Sequence, residues 1–202
     1  WGLLPPGLTG PETLRPDWAG WPRDKRLRVS STLLQAAGYG PANPLRFDIR
    51  FNSSTEHRQV SVALAAMWKP LNVEASLFNS EAALHFAALR RHEFSLARSG
   101  WIADLPTPEN FLLVHQQANG AGNYSGYASP DYDRLLARAI AEPDPLRRQR
   151  LMRQAEARLI ADMPILPLYF YVTRSLVAKR IEGWEDNISN VHPSRTLRIR
   201  HR

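Results

Sequence analysis

The sequence has 202 residues, 44% of them apolar and 22% charged, which allows one sizeable core or one core with appendages. It contains no cysteine, so disulfides, thiolate chemistry and cysteine-held metals are excluded, and no apolar run approaches the roughly 20 residues that span a bilayer. The net charge of +7 raises the question of a nucleic-acid or other anionic partner, but the arginines are spread along the chain without a dense run, which reads as decoration of solvated helix faces.

Trp1 opens the sequence with no initiator Met, charged leader or apolar signal segment, so the chain is expected to be part of a longer polypeptide. Residues 1–22 are rich in Pro, Gly and Trp. Leu4-Pro5-Pro6-Gly7 and Gly10-Pro11 are turn chemistry, and an extended opening segment pinned by Trp18 and Trp21 is expected. A helix follows over 23–37, stopped by Gly38. Leu45, Phe47, Ile49 and Phe51 alternate as in a strand. Ser53-Ser54-Thr55-Glu56 has capping-box spacing ahead of a helix that carries Val60, Ala63, Leu64, Met67 and Trp68, with Pro70 just past its end. Val73, Ala75 and Leu77 alternate again, a helix spans 81–91, and 94–98 reads as a third strand. Strand–helix–strand–helix–strand with short links implies right-handed crossovers and a parallel sheet with helices packed on it. Beyond this unit, Thr107-Pro108-Glu109 reads as a helix start. Residues 118–130 read as a loop, and Tyr132, Leu135, Leu136, Ala139 and Ile140 as a helical stripe. Pro143-Asp144-Pro145 breaks that stripe and starts a helix to about residue 161. Strands are expected over 165–171 and, more weakly, over 175–178 and 196–200.

The search for catalytic constellations is largely negative: the sequence has no GxSxG, no phosphate-cradling Gly-rich loop and no HExxH. His85 and His92 with Glu81 could be imagined as a metal pair on a helix, but no further ligand falls at useful spacing, and surface or structural histidines are the better reading. Asp104 and Glu109 could pose as an acid pair, although a helix start explains Glu109. In open α/β sheets ligands bind beyond the carboxyl ends of the strands, which draws attention to the segment after Arg98. Asp104 there could accept charge-assisted hydrogen bonds from a ligand ammonium. On spacing alone it could equally be a loop Asp paired with an arginine. Trp101 could wall a ligand pocket or sit in the core, and Gly100 marks a close backbone approach.

Several motifs stand in fixed order: Leu4-Pro5-Pro6-Gly7, Pro16-Asp17-Trp18-Ala19-Gly20-Trp21, Asn52-Ser53-Ser54, Met67-Trp68-Lys69, the stretch from Phe94 through Arg98-Ser99-Gly100-Trp101-Ile102-Ala103-Asp104, Asn123-Tyr124-Ser125-Gly126-Tyr127 with Ser129-Pro130-Asp131-Tyr132-Asp133, and Pro164-Ile165-Leu166-Pro167-Leu168-Tyr169-Phe170-Tyr171. Together they resemble the oligopeptide-binding proteins of the dipeptide/oligopeptide solute-binding family. The resemblance runs from end to end. It implies an α/β fold of the periplasmic-binding-protein type II kind, a lobe with a mostly parallel sheet and flanking helices. It further implies an extracytoplasmic, non-enzymatic binder of oligopeptides that works with the membrane subunits of an ABC importer and needs no cofactor or metal.

By the same resemblance Asp104 meets the peptide's α-amino group and Trp101 lines the pocket. Arg98 and His57 meet the peptide carboxylate or bridging water, Asn123 and Tyr171 stand at the cleft, and Arg90 matches across a one-residue gap. Where close relatives carry a second pocket tryptophan this chain has Ala83, which implies a wider pocket. Family members also carry a long N-terminal portion that supplies a second lobe. Residues 1–171 are therefore expected to form the C-terminal ligand-binding lobe. Residues 172–202 are expected to be a return segment that, lacking its partner, is mobile or self-associates through exposed strand edges. The alternatives are a lobe for another solute, a sensing module of a regulator, and a hydrolase built on Asp104 and Glu109.

Overall fold

The structure is a computed structural model and describes residues 2–8, 14–187 and 189–200. At its centre are three parallel strands, β1 (Leu45–Asn52), β2 (Val73–Ser80) and β3 (Leu96–Ala97), in the order β2-β1-β3. The β1–β2 register runs unbroken from Leu45 opposite Val73 to Asn52 opposite Ser80. Period-2 alternation places Ile49 and Phe51 on the buried face of β1. At the exposed edge the Arg46 guanidinium donates to Glu74 across the pair at 2.7 Å. The crossovers are α2 (Thr55–Trp68) and α3 (Ala82–Arg90). Trp68 meets Phe47 edge-on with ring centres 5.7 Å apart. Asn72, at φ 59°, then turns the chain into β2.

The start of α2 departs from the expected capping box. Ser54 is the cap and accepts from the His57 N–H at 3.5 Å, while the Ser53 hydroxyl turns across the sheet to Asn79 and the Ser80 carbonyl. Upstream, α1 (Arg23–Ala36) buries no residue fully and ends at Gly38, at φ 87°, where the Tyr39 N–H returns to the Leu34 carbonyl.

The second layer is helical: α4 (Pro108–Leu112), α5 (Pro130–Ala141) and α6 (Pro145–Asp162). Ser129 caps α5 and Asp144 caps α6. Thr107 sits at the cap position of α4 with Pro108 next, but its hydroxyl makes no cap bond. Leu112, Tyr132, Leu136, Ala139, Met152, Ala155 and Leu159 pack into the main core together with Leu4. The buried Tyr132 hydroxyl donates to the Leu112 carbonyl at 2.7 Å.

Among the described residues, the pin of the opening segment is Leu4 in this core together with Glu156 of α6. The buried Glu156 carboxylate accepts the N–H groups of Leu3 and Leu4 at 2.7 and 3.0 Å. Gly2 holds φ 135°, and a Cβ there would stand 2.7 Å from Glu156 Oε1, so only glycine fits. Trp18 and Trp21, expected to be the pins, are only half-buried. The Gly10-Pro11 turn lies outside the described residues.

The strand expectations for the last third need correction. Residues 165–171 and 175–178 are in no strand, and 196–200 contracts to β5 (Arg198–Ile199), antiparallel to β4 (Ile181–Glu182). A run of apolar and aromatic residues has a strand's composition but supplies no ladder, and no described strand lies alongside 165–171. The third strand also contracts, from 94–98 to two residues. The expected 118–130 loop contains 3-10 turns over Gln117–Gly122.

Candidate ligand-binding site

The chain leaves the sheet at Asn52, Ser80 and Ala97, and Arg98 continues the last of these exits. Its N–H donates to the Arg50 carbonyl at 2.7 Å, which fixes the direction of the side chain. The guanidinium donates to Asn52 Oδ1 at 3.4 Å and to the Tyr171 hydroxyl, and its centre lies 5.7 Å from the Tyr171 ring centre. His57, in the first turn of α2, has Nδ1 3.2 Å from the Asn52 carbonyl and Nε2 3.4 Å from the Tyr171 hydroxyl. A carbonyl only accepts, so Nδ1 carries a proton, and Nε2 faces the tyrosine hydroxyl. Tyr171 thus accepts from Arg98 and lies within hydrogen-bond reach of His57. A Cβ on Gly100 would stand 3.3 Å from both Arg98 Nη2 and Tyr171 Cε2, so glycine leaves just enough room for this stack.

Below the cluster, His85 is wholly buried, with Nε2 2.9 Å from the Arg98 carbonyl. By the same logic Nε2 is protonated and Nδ1 is left buried without a partner. Burial lowers this imidazole's pKa. Arg98, Arg50 and His57 push the same way, while the bond to the Arg98 carbonyl opposes them.

The loop beyond Gly100 has no regular structure and little apolar burial: Trp101 is 47% and Ile102 83% exposed. Asp104 is exposed, and among the described residues its carboxylate has neither a hydrogen-bond nor an ion-pair partner. Asn110 of α4 gathers this loop. Its Oδ1 accepts from Trp101 Nε1 at 3.1 Å and from the Asp104 N–H at 3.2 Å.

The structure therefore brings His57, Arg98, Gly100 and Tyr171 into one contact group, with Trp101 and Asp104 on the adjoining loop. It does not bring Asn123 or Arg90 to them. Asn123 is buried, its amide donates to the Gln116 and Tyr127 carbonyls, and its Oδ1 accepts from Ser125. Its own carbonyl faces His92 Nε2 at 3.1 Å, so both residues serve the loop. Arg90 is exposed at the far end of α3, beside the edge where strands begin. No hydrogen bond joins Asp104 to Glu109, and no group of three metal-ligating side chains occurs among the described residues. Sequence reasoning named neither Asn52 nor Asn110 as a site residue. Asn52 had a usable signal, a polar residue closing a strand at the ligand edge.

No family model matches the chain. It is 32% identical over 204 residues to the periplasmic oligopeptide-binding protein of Salmonella typhimurium, covering 100% of this chain and 37% of that protein. The solved murein tripeptide binding protein of Escherichia coli superposes with a TM-score of 0.87 at 30% identity, covering 100% of this chain and 40% of the other. Along its whole length the chain is similar to one part of the oligopeptide-binding proteins. A further similar structure, the Haemophilus influenzae oligopeptide-binding protein solved in complex with RPPGFSPFR, gives a TM-score of 0.81 at 31% identity, with 92% and 37% coverage. The α/β fold with its parallel sheet is thus a lobe of the periplasmic-binding-protein type II class. The chain spans about 37% of the length of the curated relative it matches, and no helix of its described residues is long and apolar enough to cross a membrane.

Proposed function

We propose that this chain acts as the peptide-receiving lobe of an extracytoplasmic binding protein that hands oligopeptides to the membrane subunits of an ABC importer and performs no chemistry on them. The observation that carries this reading is the exposed, unpartnered carboxylate of Asp104 beside the exposed Trp101, beyond the carboxyl ends of a parallel sheet. A carboxylate so placed suits a peptide ammonium, and Trp101 offers an apolar wall to the first side chain. The cationic group of Arg98, with His57 and Tyr171, suits the other pole of a peptide or its bridging water. The relative solved with RPPGFSPFR supports peptide as the ligand class.

A single lobe contacts the ligand from one side and leaves the charge pair in water, so affinity is expected to be weaker than micromolar. Titration of tri-alanine, followed by amide NMR, should shift Trp101 and Asp104. N-acetyl tri-alanine should bind three- to tenfold more weakly, and D104N should erase that difference. Equal response to the two peptides, or shifts confined elsewhere on the chain, would overturn the assignment.

In this reading residues 172–202 complete a second lobe. Their exposed apolar groups, Val172 and Leu176 among them, are expected to drive self-association in its absence, visible as a mass rising with concentration in light scattering. A monomer at every concentration with a protected tail would contradict this.

A further inference from the structure

We infer that Asn110 is the positioning residue of the amine-receiving turn: by accepting two hydrogen bonds at one oxygen, it sets the direction in which Asp104 presents its carboxylate. The inference rests on the peptide-amine reading of Asp104 given above.

The loop from Gly100 to Pro106 has no ladder, no helix and few buried atoms with which to hold a shape. Ile102 and Leu105 are 83% and 61% exposed, so packing contributes little. The described hydrogen bonds that tie Trp101 and Asp104 to the rest of the protein both end on Asn110 Oδ1, from the indole N–H at 3.1 Å and from the Asp104 backbone N–H at 3.2 Å. Both partners can only donate. The amide orientation is therefore fixed by chemistry, because a flipped amide would set N–H against N–H at both contacts.

Asn110 is itself firmly held. Its N–H donates to the Thr107 carbonyl at 3.2 Å, and two residues later Leu112 is completely buried in the main core and accepts from Tyr132. One side chain thus connects an otherwise loose loop to the most rigid part of the molecule. It fixes both elements of the amine site, the aromatic wall and the carboxylate, relative to each other. The recognition of a charged group depends on direction and distance, so a turn that wanders loses selectivity before it loses all binding.

The test uses the full chain and three variants. N110L removes the acceptor at similar volume, N110S is a smaller second probe against misfolding, and N110D restores an oxygen acceptor. In the free protein, N110L and N110S are expected to raise the solvent-exchange rates of the Trp101 indole N–H and the Asp104 amide about five- to tenfold. N110D should keep both near wild type. With tri-alanine and N-acetyl tri-alanine as probes, N110L should lose the free-amine preference as D104N does, while its thermal midpoint stays within a few degrees of wild type. Unchanged exchange in N110L and N110S, or an intact amine preference in N110L, would overturn the inference. If wild type itself shows no amine preference, the peptide reading fails, and unaltered exchange in the variants would then separately refute the role of Asn110 in ordering the turn.

Discussion

Replacing Glu156 by Ala is expected to lower the unfolding free energy by about 2–4 kcal/mol, because it leaves two enclosed backbone donors without an acceptor. The Leu3 and Leu4 N–H groups both end on Glu156 Oε1, and Leu4 is itself part of the main core. The loss should therefore propagate: without the carboxylate these two N–H groups have no acceptor on α6, and the seat of Leu4 in the core loosens. E156Q keeps an oxygen acceptor of the same reach and should cost only about 1 kcal/mol. Urea unfolding with an unchanged slope would measure both. An alanine variant within about 0.5 kcal/mol of wild type would show that the segment is held by something else.

Acid should destabilise the protein well before its carboxylates titrate. Burial holds the His115 imidazole down at about 4, against an ordinary 6.5. His85 is lowered too, by burial first and then by the charge of Arg98 and Arg50 and the proximity of His57. Both rings stay neutral in the fold while the unfolded chain takes up protons as pH drops through 6.5. The unfolded state then binds more protons, and stability rises with pH across this window. The contribution is complete above about pH 6.5 and declines until each folded ring is itself protonated, near 4 for His115. The His115 share alone is about 2 kcal/mol at pH 5. Thermal midpoints should fall from pH 7.5 to pH 5, and H115Q should shrink that fall. A midpoint flat over this range would remove the burial of these rings as its cause.

The central unit was legible because its physics is local. Alternation in Leu45, Phe47, Ile49 and Phe51 and in Val73, Ala75 and Leu77 gives two strands, and the short helical links between them leave only parallel pairing. The cleft group was partly legible. Arg98, Gly100, Trp101 and Asp104 follow the third strand directly, and chain position alone places them at the ligand edge. Tyr171 reached the site through resemblance, since nothing local to 165–171 shows that its hydroxyl lies on Arg98. The same segment reads as a strand because Ile165 to Tyr171 is an unbroken apolar and aromatic run. Such a run has a strand's composition, whereas a strand also needs a partner. Asn123 and Arg90 also reached the site through resemblance, and the structure does not bring them to the contact group: one amide is consumed inside its own loop and the other side chain stands at the far end of a helix. Asn110 could not be read at all, because a side chain that accepts from two points of a neighbouring loop leaves no periodicity behind.

The contact between Arg98 and Tyr171 closes a stretch of chain that contains all of α4, α5 and α6. The last two of these helices pack over a link of only residues 142–144, and contacts between near neighbours in sequence form fastest. The hairpin is thus the natural folding nucleus, and the tyrosine reaches the guanidinium only after that hairpin has shortened the distance between residues 98 and 171. Core substitutions such as L136A should slow refolding, while Y171F should leave the refolding rate alone and mainly speed unfolding. In kinetic terms, the ligand-facing end of the molecule is expected to assemble last and to open first.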